Sequence, residues 1–184
     1  MNTASAIVTF HMANPRPMGF TLMELAVTLA VAAILFAVGI PSLSLLVADG
    51  RVRTAADNLY ASLIFARSEA IKRNKIIAVC AKNDDGNGCQ NSSDWARGWI
   101  VFVDEDGDGV NAAVSDILKR QDALPGVTLT GTGTNVSFQR DGRLRASVSQ
   151  FSTTGTGNTT VRARCVSMDL SGRPNVKVAS SASC

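Results

Sequence analysis

From Leu25 through Ala48 the chain carries no charged residue, and Leu, Val, Ala and Ile dominate the segment. At 1.5 Å rise per residue, a helix of that length reaches roughly 36 Å, enough to cross a bilayer with some tilt. Eighteen or more consecutive apolar residues mark a membrane span rather than a buried core helix. The segment therefore predicts a single membrane-inserted helix over residues 20–48. Glu24 stands at its edge. A carboxylate there is costly and is a functional candidate by default. Pro41 interrupts the run, where it removes a backbone donor and predicts a kink.

The order of features before this run is unusual. A secretory signal places its apolar core ahead of the cleavage site. Here residues 1–19 form a mainly polar leader ending in Arg16-Pro17-Met18-Gly19, and the apolar stretch follows as Phe20-Thr21-Leu22-Met23-Glu24-Leu25. Arg16 is the one Lys or Arg of the leader and suits a cytoplasmic position. This pattern resembles the class III signal of type IV prepilins. The resemblance implies that a prepilin peptidase cuts between Gly19 and Phe20 and that the new Phe20 amine is methylated. It also implies that Glu24, the fifth mature residue, pairs with the terminal amine of a neighbouring subunit. The expected location is the bacterial inner membrane, crossed once with the head in the periplasm, and then a pilus or pseudopilus fibre. Other major and minor pilins are the implied partners.

Beyond Asp49-Gly50 the pattern becomes amphipathic. Ala56, Leu59, Leu63, Ala66 and Ala70 recur at steps of three or four, one face of a helix over Arg51–Asn74. Strand-like runs then alternate with Gly, Asn, Asp and Ser punctuation. They are Ile76–Lys82, Gly98–Val103, Ile117–Gln121, Val127–Thr130, Val136–Gln139 and Thr160–Met168. In the last, Val161, Ala163, Cys165 and Ser167 form one alternating face. Gly131–Thr134 and Ser152–Thr160 read as polar loops. With no βαβ alternation, residues 49–184 are expected to be an α+β head, one helix against an antiparallel sheet. Four cysteines downstream of a membrane segment suggest disulfides in an oxidising compartment. Three connectivities are open; Cys80–Cys89 with Cys165–Cys184 closes the smallest loops and is the expected pairing.

Three pieces together resemble the GspH/FimT class of minor pilins and pseudopilins. They are Ala66-Arg67-Ser68-Glu69-Ala70, Trp95-Ala96-Arg97-Gly98-Trp99-Ile100-Val101-Phe102-Val103-Asp104, and Phe138-Gln139-Arg140-Asp141-Gly142. The resemblance implies a pilin-like fold and a subunit that primes or caps assembly of a type IV pilus or of the type II secretion pseudopilus. Members of the FimT type are associated with double-stranded DNA during uptake and carry a C-terminal Gly-Arg-x-Arg motif. Here the C-terminal candidate, Gly172-Arg173-Pro174-Asn175, lacks the second arginine, while Gly142-Arg143-Leu144-Arg145 is intact earlier in the chain. Arg143, Arg145, Arg173 and Lys177 are accordingly the candidate phosphate contacts.

Charge is segregated in a way that suits such a role. Residues 84–116 hold eight acids and one arginine, whereas residues 119–184 hold nine Lys or Arg against three acids. A basic surface can follow a nucleic-acid backbone by releasing condensed counterions, and solvated arginines guarding strand edges are the alternative. Two clusters stand out: Arg140, Arg143 and Arg145, and Arg162, Arg164, Arg173 and Lys177. The acids Asp104, Asp106 and Asp108, with Gly109 after them, have the spacing of a calcium loop's opening. The twelfth position, however, is Ser115 rather than a bidentate glutamate, so calcium competes with a plain acidic turn. His11, the one histidine, lies in the leader, so the mature chain assembles no Ser-His-Asp, Cys-His or zinc site. Enzyme chemistry is not expected.

Overall fold

A computed structural model describes residues 19–110, 113–145, 149–157, 160–179 and 184. Residues 1–18 of the leader, His11 among them, lie outside the described residues. The chain divides into two compact units, Met1–Ile40 and Pro41–Cys184. Helix α1 runs from Leu22 to Arg73. It opens as helix starts do: the Thr21 hydroxyl accepts the Glu24 amide at 3.2 Å, closing a Thr-x-x-Glu cap with the acid in the positive first turn. It ends with Lys72 and Arg73 in the last turn and Asn74 in the left-handed region at φ 52°.

In the first unit the described side chains of α1 are almost all exposed and apolar. Among the described residues no helix is long and apolar enough to cross a membrane. The side chains of Val38, Pro41 and Ser42, which fall inside the uncharged run, are outside those described.

In the second unit α1 buries the stripe expected of it. Ala56, Leu59, Leu63, Ala66 and Ala70 are each fully buried. They pack on two antiparallel four-stranded sheets, where the sequence suggested one. The first sheet has the order β3-β2-β1-β5, from β1 (Ile77–Ala81), β2 (Trp99–Val103), β3 (Ile117–Gln121) and β5 (Asn135–Phe138). The second has the order β4-β6-β7-β8, from β4 (Val127–Gly131), β6 (Gln150–Gly155), β7 (Arg164–Met168) and β8 (Pro174–Val178). In the first sheet, central Val79 pairs with Val101 on one side and Val136 on the other. One core joins α1 to both sheets: Ile77, Val79, Val101 and Phe138 from the first, Leu129, Phe151, Val166 and Met168 from the second, with Trp95 and Trp99 among them.

β1 and β2 are apolar on both faces because both are covered. Their outward residues Ala78, Cys80, Ile100 and Phe102 form a separate cluster with Cys89 and Ile117. The Cys80–Cys89 disulfide holds that covering loop down, and Cys165–Cys184 ties the last residue to β7.

Two strands went unseen in the sequence, and one was read in the wrong phase. β6 (Gln150–Gly155) takes in the first four residues of the stretch expected to be a loop over Ser152–Thr160. It is built on β-branched threonines, with Phe151 and Thr153 buried and their neighbours half-exposed. β8 begins at Pro174, which a sheet edge tolerates at its first position. β7 starts only at Arg164, and Val166 and Met168, rather than Cys165 and Ser167, face the core. The alternation that buries Val161 and Ala163 changes phase between Ala163 and Val166, where the strand begins, and because the side-chain period is two, such a one-residue shift inverts every face after it.

Candidate basic surface and acidic loop

Gly142 and Gly172 organise the basic residues. Asp141-Gly142-Arg143 caps a tight turn after β5: the Gln139 amide donates to Arg143 O and the Gly142 amide to Gln139 O, each at 2.8 Å, and the Asp141 carboxylate accepts the Arg143 amide at 3.0 Å. A second turn before β8 repeats the device. The Gly172 amide donates to Asp169 O at 3.0 Å, and the Asp169 carboxylate accepts the Arg173 amide at 3.3 Å and the Ser171 hydroxyl at 2.5 Å. These bonds, the Ser171 hydroxyl first, hold the Asp169 carboxyl below its ordinary range. Both glycines adopt left-handed φ, 81° at Gly142 and 76° at Gly172.

The two turns lie directly against each other. A Cβ on Gly172 would run into the Gly142 carbonyl oxygen and stand 3.4 Å from Arg143 Cα. The Leu144 amide donates to Leu170 O at 3.2 Å, adding a second link. Arg67 of α1 closes the group from the other side, its Nε–H donating to Gly142 O at 3.1 Å. Two Gly-Arg pairs distant in sequence thereby become one ridge, with Arg143 and Arg173 both exposed on it. Lys177, also exposed, lies on the same face of edge strand β8 as Arg173 by strand alternation.

Arg145 goes elsewhere. Its guanidinium covers Gly107, leaving no room there for a Cβ, and so sits on the acidic loop that follows β2. In that loop one carboxylate oxygen from each of Asp104, Asp106 and Asp108 lies within 4.8 Å of the others. The carboxylates are already engaged with the backbone. Asp104 accepts the Gly107 amide at 2.9 Å and the Gly109 amide at 3.1 Å, one on each oxygen, and Asp108 accepts the Val110 amide at 2.7 Å. Asp104 is 1% exposed, and burial raises its pKa against the lowering effect of those two amides. The geometry is that of a self-capped turn between strands.

The second sequence cluster splits. Arg164 is half-buried and reaches Asp49 of α1 at 4.0 Å, and exposed Arg162 lies beside it, away from the ridge. Sequence reasoning overlooked Arg67, Asp141 and Asp169. Arg67 lies off the apolar stripe of α1 and carried no local sign of its partner. The two aspartates were readable as Asx residues two and four positions before an arginine amide.

Glu24 and Phe20 stand at the start of α1. Phe20 is 79% exposed, and the Glu24 amide donates to the Thr21 hydroxyl.

The family model described as "Type II transport protein GspH" matches residues 55–172. Two crystal structures of the type IV minor pilin FimU of Pseudomonas aeruginosa superpose with TM-scores of 0.58 and 0.56. They share 25% and 26% identity, over 72% and 71% of this chain and 96% and 98% of theirs. The minor pseudopilin EpsH of the Vibrio cholerae type 2 secretion system aligns at a TM-score of 0.48 with 14% identity, over 70% of this chain and 96% of its own. No curated protein sequence matches.

Proposed function

The chain belongs to the GspH family of type II transport proteins, minor pilins and pseudopilins rather than enzymes, and from that premise we propose that it is a minor pilin of a type IV pilus. In this reading it is cut after Gly19, held in the inner membrane by residues 20–48, and then drawn into the fibre to prime or cap it. The observation that supports this is the first part of α1. Leu22, Leu29, Ile34, Leu35 and Phe36 are exposed at 61–86%, and such a surface must be covered by lipid or by neighbouring helices. Glu24 then fixes register through its charge to the Phe20 amine of the next subunit. Glu24→Ala is expected to leave the membrane-bound pool unchanged and to reduce recovery in sheared fibres by about ten-fold, the size of a 1.4 kcal/mol interaction. Undiminished recovery in the fibres would remove Glu24 from that role.

The convergence of the two Gly-Arg turns favours a second activity on the same subunit, contact with the backbone of double-stranded DNA through Arg143 and Arg173, extended by Lys177. Exposed arginines suit phosphate because their fork matches two oxygens at once. Affinity for duplex DNA is expected to fall steeply with salt. Arg143→Gln and Arg173→Gln should each lower the log–log salt slope by about 1, whereas Arg145→Gln, engaged at the acidic loop, changes it less. A titration at two salt concentrations decides the matter; absence of binding at low salt leaves the assembly role, or that of a secretion pseudopilin, standing alone.

A further inference from the structure

Arg162 and Arg164 leave the ridge for a physical reason. Val161 is buried with Val52, Ala55 and Val127 in a small second core, against which Ala48 and Leu124 pack. Pinning Val161 inward turns Arg162 out, into a surface groove lined with Leu45, Leu46 and Asp49 of α1. On another flank of the helix Arg51 lines an apolar groove with Val47, Ala55, Leu124 and Pro125. These arginines adjoin the point where the uncharged run ends. There Leu43, Leu45, Leu46 and Val47 are exposed at 62%, 40%, 68% and 47%.

The charges at this level are not equivalent. Arg53 reaches Asp57 at 3.7 Å and Arg164 reaches Asp49 at 4.0 Å. Arg51 and Arg162 form no ion pair among the described residues, and both are exposed. The Arg51 side chain lies against Gly126 at the edge of its groove, and an exposed arginine that borders an apolar groove with no ion-pair partner has the form of a group that seats at a lipid headgroup.

We propose that Arg51 and Arg162 form a two-sided clamp for the phosphates of anionic glycerophospholipids in the leaflet on the head's side of the bilayer. The proposal rests on residues 20–48 being membrane-inserted, as set out above. The clamp holds the subunit at a fixed depth before assembly. Extraction into the fibre then requires that both headgroups be released. Each arginine near an anionic surface contributes about five-fold in partition, so the pair favours anionic over zwitterionic lipid by more than ten-fold.

The test uses the full chain in neutral detergent micelles, titrated with phosphatidylglycerol, phosphatidylcholine or water-soluble glycerol 3-phosphate, with bound lipid counted by native mass spectrometry. Phosphatidylglycerol should bind about ten-fold or more tightly than phosphatidylcholine, with glycerol 3-phosphate unbound. Arg51→Gln and Arg162→Gln should each lose several-fold of that preference, Arg162→Lys should retain most of it, and Arg143→Gln should retain all of it. Equal affinity for the two lipids overturns the clamp, as does the same loss from Arg143→Gln. Binding of glycerol 3-phosphate as tight as that of the lipid would make it a free-anion site instead. If Arg162→Gln weakened duplex-DNA binding as much as Arg143→Gln does, Arg162 would belong to the DNA surface. A chain that fails to enter micelles at all refutes the membrane anchor itself, a result distinct from insertion without lipid preference.

Discussion

Gly172→Ala is expected to destabilise the head by about 3 kcal/mol, against about 1–2 kcal/mol for Gly157→Ala. The pair forms a controlled comparison. Both glycines are left-handed, at φ 76° and 69°, so a side chain costs both the same backbone strain. A Cβ on Gly157 meets nothing within 4 Å, whereas one on Gly172 drives into the Gly142 carbonyl, which belongs to rigid turn backbone and already accepts Arg67. The difference between the two variants therefore measures the stacking of the turns, and urea unfolding at equal m-value reads it. DNA affinity should fall with it for Gly172→Ala and not for Gly157→Ala, because parting the turns separates Arg143 from Arg173. Equal destabilisation by the two substitutions would show that the turns do not bear on one another.

That contact could not be read from the sequence, and the reason is general. Gly142-Arg143 and Gly172-Arg173 were each visible as basic turns, because turn chemistry is local. Their meeting depends on how β5 and β8, edge strands of different sheets, are brought together by a core that packs Leu144 and Met168 with α1. The apolar stripe from Ala56 to Ala70 was fully legible, since helix periodicity and burial on one face are the same fact. The valine- and isoleucine-rich strands of the first sheet were legible for a similar reason. Of the second sheet, β4 was legible and β6 and β8 were not. The β-branched Thr153 and Thr154 of β6 and Val176 and Val178 of β8 stand among Gly, Ser, Asn and Pro that read as turns, and pairing with β4 and β7 for β6, and with β7 for β8, is what completes their strand state.

The basic cluster of Arg162, Arg164, Arg173 and Lys177 shows the cost of reading charge along the chain. β7 and β8 form an antiparallel pair in which Arg164 faces Val178 and Met168 faces Pro174. Residues before β7 therefore sit at the opposite end from the turn that carries Arg173. Proximity in sequence became separation in space, and it is Val161, an unremarkable residue in the sequence, that sets where Arg162 points.

Trp95→Ala should have the largest effect of any single substitution in the head, about 3–5 kcal/mol, a large part of what holds a domain of this size. Trp95 is fully buried and belongs to no strand, yet it closes the gap between the two sheets. Its amide donates to Leu129 O of β4 at 2.8 Å, and its indole Nε1–H donates to Gly133 O, in the loop from β4 to β5, at 3.1 Å. Its ring meets Phe151 of β6 edge-on, with centroids 4.9 Å apart. Gly131 is small for the same reason, since a Cβ there would stand 2.8 Å from Trp95 Nε1 and 2.9 Å from Phe151 Cε1. Removing the indole leaves a cavity bounded by both sheets, along with a carbonyl stripped of its donor. Trp95→Phe separates these losses: it keeps most of the apolar volume and should cost about 1–2 kcal/mol, chiefly the unsatisfied Gly133 carbonyl. If Trp95→Phe proves as damaging as Trp95→Ala, the hydrogen bond to the β4–β5 loop, and not the packing, is what joins the sheets.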